Sequence, residues 1–258
     1  MKSVILCEGR DDMWLLGYLL HKWSSEKWKY VKGGKISTLY DIPTLYENSG
    51  HTIRKRDDTD DKLAIWSVGG KDNFLSALNE INIINTNQPE ERLENIIFVI
   101  DRDQNEIVET MKVFQEWFKQ NNWHVELKNN EKCELSYMVE DEKYNLCICP
   151  IIFPFSECGA LETVLMDSFS NSCPELNYIV CQAKKYISEL SESDKVPSYL
   201  NESRGRLKAE FSSVISVVNP TRSFDASKEI LMSHKWEEYE VVKTHFELLN
   251  QIFIRNYS

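Results

Sequence analysis

The stretch Ile96-Ile97-Phe98-Val99-Ile100-Asp101-Arg102-Asp103-Gln104-Asn105-Glu106 runs five bulky apolar residues straight into two aspartates one residue apart. Successive side chains of a strand point to opposite faces, so an unbroken apolar run predicts a strand that is covered on both. The switch to Asp101 marks its carboxyl end. Behind it, Val108, Met111, Phe114, Trp117 and Phe118 recur at helical spacing and predict a helix.

The same pattern extends in both directions. Val4 to Cys7 predicts a first strand, and after Gly9 a helix carries Leu15, Leu16, Leu19, Leu20 and Trp23. Leu63 to Val68 predicts a second strand, turned by Gly69-Gly70 into a helix with Phe74, Leu75 and Leu78, and Leu146 to Phe153 supplies at least one more strand. Continuous apolar strands alternating with amphipathic helices predict an α/β fold: a mostly parallel, Rossmann-like sheet with helices on both faces. Residues 27–62 interrupt this rhythm. Their tract Arg54-Lys55-Arg56-Asp57-Asp58-Thr59-Asp60-Asp61 is expected to be an insertion or an exposed, solvated loop.

From Leu161 the helical period dominates, with Val164, Leu165 and Phe169 on one face and a second helix over residues 175–192. In the last helix Tyr239, Val242, Phe246, Leu249 and Phe253 alternate spacings of three and four, a stripe suited to packing on the parent domain or to a homodimer contact. The expected organisation is a sheet domain over residues 1–170 followed by a mainly helical extension over 171–258.

Composition narrows the function classes. A chain of 258 residues with 42% hydrophobic and 28% charged residues can bury a sizeable core. No apolar run is long enough for a membrane span or a signal peptide, so a cytoplasmic protein is expected. Seven cysteines with no Cys-x-x-Cys pair, two of them (Cys147 and Cys149) in an apolar strand, predict core thiols without disulfides or zinc. The five histidines offer no pair at metal-ligand spacing. A net charge of −11 repels a phosphate backbone, which argues against passive nucleic-acid binding but leaves room for an enzyme whose metal ions bridge carboxylates to phosphate.

Sites in open α/β sheets lie beyond the carboxyl ends of the strands, where Glu8 and Asp101 both fall. Paired carboxylates such as Asp101 and Asp103 repel one another unless a proton or a cation is shared, and Mg²⁺ prefers a few carboxylates plus substrate phosphate oxygens. A divalent-metal site is therefore expected. Each acid also has a structural reading: Asp103 as the N-cap of the next helix with Glu106 three residues on, Asp12 as a cap of the first helix, and Glu162 as a carboxylate favoured by a helix dipole. Gly69-Gly70 before a helix either approaches a phosphate through its amides, with Lys71 reaching alongside, or makes a simple strand-to-helix turn.

The order Glu8-Gly9-Arg10-Asp11-Asp12, then Gly69-Gly70-Lys71-Asp72-Asn73, then Asp101-Arg102-Asp103 resembles the toprim domain of topoisomerases, bacterial primases and the overcoming-lysogenization-defect nucleases. The resemblance covers residues 1–170. It implies that Glu8, Asp101 and Asp103 hold Mg²⁺ (or Mn²⁺) for phosphodiester cleavage, with Asp12 at a position where an aspartate often follows. Gly159-Ala160-Leu161-Glu162 resembles those nucleases' Asp-Leu-Glu segment, which implies a metal role for Glu162; Ala160 stands where the aspartate is expected, and Glu157 is a candidate substitute. In Arg204-Gly205-Arg206-Leu207-Lys208, Lys208 is the candidate for the late lysine that offsets charge on the phosphate. Stand-alone toprim proteins of this size resemble effectors of anti-phage defence that work with a separate ATPase. The resemblance thus implies an endonuclease acting on DNA or RNA. A non-catalytic interaction module and a primase-like nucleotidyl transferase are the alternatives.

Overall fold

The computed structural model describes residues 1–31, 50–87, 92–139, 142–193, 200–222 and 227–254. Among them, seven strands form one mixed sheet: β1 (Lys2–Cys7), β2 (Trp28–Tyr30), β3 (Gly50–Arg56), β4 (Lys62–Ser67), β5 (Asn95–Asp101), β6 (Cys133–Val139) and β7 (Glu142–Phe153), in the order β2-β3-β4-β1-β5-β7-β6. The central strand β1 pairs in parallel with β4 and β5, whereas β2–β3, β3–β4 and β6–β7 are antiparallel. The α/β class predicted from the apolar runs is the class observed.

The chain falls into two compact units. The first takes Met1–Ile100, Glu106–Ile152 and the residues from Leu248 on; the second takes Asp101–Asn105 and Phe153–Glu247. In the first, Val4, Leu6, Ala64, Trp66, Ile96 and Phe98 share one sheet face with Phe74 and Leu78 of α2 (Phe74–Asn87) and Phe114, Trp117 and Phe118 of α3 (Ile107–Gln120) in a continuous core. The alternate residues Ile5, Ile65 and Ile97 are equally buried, and α1 (Arg10–Trp23) packs against β1, β3 and β4. Both faces are thus covered, as unbroken apolar strands require.

The charged tract is an exposed turn only in its second part, where Asp57, Asp58 and Asp60 lie exposed after the strand. Gly50–Arg56 is β3, paired with both β2 and β4, and Arg54, Arg56 and Asp61 are buried. The charges of Arg56 and Asp61 are tolerated there because each has a partner. The Arg56 guanidinium meets Asp58 and the Phe253 carbonyl, and Asp61 accepts a 2.6 Å bond from the Met1 ammonium group. Arg54 lies over Gly17 of α1, where any Cβ would come within 2.2 Å of its Nη2. Residues 32–49 of the expected insertion lie outside the described residues.

The second unit is helical: α4 (Leu161–Ser172), α5 (Pro174–Ser191), α6 (Ser203–Val218), α7 (Ser227–Ser233) and the start of α8 (Glu240–Phe253). The first three pack on one another, α5 opening with Pro174, whose missing N–H costs nothing in a first turn. Phe169, Trp236 and Tyr239 form an aromatic cluster. The junction expected near residue 170 falls inside α4. Of the stripe, Val242, Phe246, Leu249 and Phe253 are buried within the chain and Tyr239 is half-buried. No helix among the described residues is long and apolar enough to cross a membrane.

Candidate functional site

The second unit gathers the two aspartates. Asp101 ends β5, and the next amide, that of Arg102, donates to the Phe153 carbonyl at 2.5 Å. Asp103 then turns left-handed (φ 55°), a conformation aspartate tolerates better than most residues. It forms a two-bond bridge with Gly159: Asp103 N–H donates to Gly159 at 2.7 Å and Gly159 N–H returns a bond of 2.8 Å. Asp103 is therefore not the N-cap of α3; that position is Glu106, three residues on.

The turn aims both carboxylates at one cation. Arg204 Nη1 lies 2.6 Å from Asp101 Oδ2 and 2.9 Å from Asp103 Oδ1. The other oxygen of Asp101 accepts the Leu161 N–H at 2.9 Å, so this carboxylate serves the first turn of α4, whose N-cap, Ala160, has no acceptor to offer. Asp101 is 1% exposed, while Arg204 and Asp103 are 36% and 35% exposed. Burial pushes the Asp101 carboxyl up to about 6 against the pull of Arg204, and the negative charges of Glu162 and Asp103 push the same way as burial. Arg204 is held cationic, its burial outweighed by Asp101, Glu162 and Asp103.

Glu162, in the first turn of α4, belongs to this cluster electrostatically, and its buried Oε2 accepts no hydrogen bond from the described residues. Glu157 does not stand in for Ala160. It pairs with Asp167, whose carboxyl rises to about 6 through burial and through Glu157's charge and hydrogen bond. Lys208 is exposed on α6, one turn beyond Arg204; the cation that meets the aspartates is the arginine. Reasoning from sequence missed Arg204. Its available signal was a cation in the first turn of a helix, where the dipole disfavours it.

The remaining candidates lie in the first unit. Glu8 follows β1, and its carbonyl accepts the amides of Gly69 and Gly70 at 3.1 and 3.0 Å. Those two amides are thereby engaged in a strand-to-helix turn and do not form a phosphate cradle. Asp12 is buried, and its Oδ2 accepts the Gly9 N–H at 2.8 Å, which is the capping role.

Carboxylate oxygens are the donor chemistry a divalent cation requires, and Asp101 and Asp103 already share one cationic position. In this arrangement that position is filled by a guanidinium. Among the described residues no group of three His, Cys, Asp or Glu side chains gathers closely enough to hold a metal ion.

Fold and side chains together define an α/β protein with an aspartate pair, at the carboxyl end of an inner strand, bridged by one arginine. The chain belongs to the family described as protein of unknown function DUF3226, whose model matches residues 2–253. It is also similar to the crystal structure of hypothetical protein PH0156 from Pyrococcus horikoshii OT3, with 15% identity, 96% of this chain and 99% of that chain covered, and a TM-score of 0.48. No curated protein matches the chain.

Proposed function

We propose that this protein is a metal-dependent endonuclease of the toprim type, cleaving DNA or RNA phosphodiester bonds, and that it acts as an effector of anti-phage defence with an ATPase partner. The observation that carries the reading is the convergence of Asp101 and Asp103 on a single cationic position at a strand end. Bound Mg²⁺ or Mn²⁺ would supply Lewis-acid stabilisation of charge on a phosphate. Asp101 and Asp103 would hold it; Glu162 and Glu8 enter through the sequence resemblance alone. The chain's own contribution is to fix the carboxylates. The Leu161 amide orients Asp101, and the Asp103–Gly159 bridge sets the second acid. The defence role and the ATPase rest on the resemblance.

The test is incubation of plasmid DNA and total cellular RNA with Mg²⁺ or Mn²⁺, with and without a neighbouring ATPase, for wild type, Asp101→Asn and Asp103→Asn. Cleavage by wild type, reduced at least roughly a hundredfold in either variant, is expected. Cleavage that survives Asp101→Asn sinks the assignment. A second reading, a non-catalytic interaction module, is favoured by the engagement of both aspartates with Arg204, which makes them a structural ion-pair cluster. It predicts no Mn²⁺ binding by any variant.

A further inference from the structure

We infer that Arg54 and Thr52, on the face of β3 that α1 covers, bind a tetrahedral oxyanion of the phosphate class. The inference is independent of the aspartate site and of any metal there. β3 holds two buried arginines that differ in one respect. Arg56 meets Asp58 and the Phe253 carbonyl. Arg54, only 6% exposed, pairs with no carboxylate among the described residues, and its Nε is buried without an acceptor. The side chain that bears on it electrostatically is Tyr30, directly across the β2–β3 pair, a phenol rather than a carboxylate. Burial brings the Arg54 guanidinium down to about 10, so it is a cation at neutral pH. A buried cation of this kind is strongly destabilising until an anion joins it.

The neighbouring group selects the anion. Thr52 lies two residues away and hence on the same face, and its Oγ1 is likewise buried without a hydrogen bond, at 3% exposure. Both side chains can donate: the guanidinium through N–H groups in one plane, the hydroxyl from beside it. A carboxylate is planar, with two oxygens that the guanidinium fork engages, whereas a phosphate keeps further oxygens for the hydroxyl. Gly17 supplies the room. A Cβ there would stand 2.2 Å from Arg54 Nη2 and 2.8 Å from its Cζ, so it is the glycine that lets the head group lie against the α1 backbone. Position supplies the access, because β3 is one strand in from the edge of the sheet and Tyr30, on the short edge strand β2, is exposed.

The test is isothermal titration calorimetry of the full chain with sodium phosphate, against sodium chloride at matched ionic strength, for wild type, Arg54→Met and Thr52→Val. Wild type should bind phosphate at one site, with affinity reduced roughly a hundredfold in Arg54→Met and roughly tenfold in Thr52→Val. Acetate should bind wild type at least roughly tenfold more weakly than phosphate. Phosphate should also raise the melting temperature of wild type and leave that of Arg54→Met unchanged, a response that an arginine with a purely structural role would not give. Absence of phosphate binding beyond the chloride control overturns the inference, as does equal affinity in Arg54→Met. Acetate binding as tight as that of phosphate overturns the assignment to a tetrahedral anion. Thermal melting without phosphate checks that each variant folds; if Arg54→Met does not, Thr52→Val carries the comparison, and an affinity equal to wild type overturns the inference.

Discussion

A carboxylate as buried as that of Asp101 makes stability depend on pH in an unusual direction. Its folded value, about 6, lies above the ordinary 3.8, so between those values the folded state holds the proton and the unfolded state does not. The stability this group contributes is therefore fully present below pH 4 and lost as pH rises through 6. Urea unfolding of wild type and Asp101→Asn at several pH values should show the difference moving in favour of wild type by roughly 2 kcal/mol from pH 7.5 to pH 4. A pH-independent difference would refute the assignment. Gly159, which braces Asp103, makes a second test. At φ 153° a Cβ there would sit 2.2 Å from Thr163 Oγ1, so Gly159→Ala should cost about 1–3 kcal/mol in a melting experiment. The aspartates were legible in the sequence because each breaks an apolar pattern at a strand end. Arg204 was not, because nothing in a one-dimensional string joins it to residues about a hundred positions away, and Lys208, one turn on, offers the same charge. Glu8 and Asp12 were legible as acids at the head of a helix, but only coordinates separate Asp12's capping bond from a ligand role.

The elements legible in the sequence are those whose burial is two-sided. β5 could be read from five residues because α2 and α3 cover one face and the other is buried as well. Phe98 is the clearest case, stacked on Phe114 at 5.2 Å and tilted against Phe118 at 6.1 Å. Phe98→Ala should destabilise by about 3–5 kcal/mol, against a much smaller loss for Phe98→Leu, as read by denaturant midpoint. Elements with one dry face were harder to see. Among the described side chains of β6, Cys133 and Leu135 are buried next to exposed Glu134 and Ser136, so its signal is alternation, and the apolar run of β7 overshadowed it. β3 was hidden for another reason. Its buried residues include Arg54 and Arg56, and composition counts an arginine as surface even when a glycine on the neighbouring helix makes room for its head group.

Across the molecule, the end of α8 ties distant parts of the sequence together. The helix departs from helical geometry at Phe246, which packs on Phe153 in the second unit, and its last turn returns to the first. There the Phe253 carbonyl accepts hydrogen bonds from Trp28 Nε1 at 3.2 Å and Arg56 Nη1 at 3.0 Å, and the Phe253 ring meets Trp28 edge-on. A chain stopped after Glu247 would remove the carbonyl that the buried Trp28 indole and the Arg56 guanidinium share. It should melt well below the full chain, with Trp28 fluorescence shifted to the red; an unchanged melting curve would show these contacts to be dispensable. During synthesis, the ribosome releases residues 248–253 only after the whole second unit has emerged. The β2–β3 edge must therefore wait for those residues to emerge, and until then the nascent sheet carries an unfinished edge of the kind that chaperones shield.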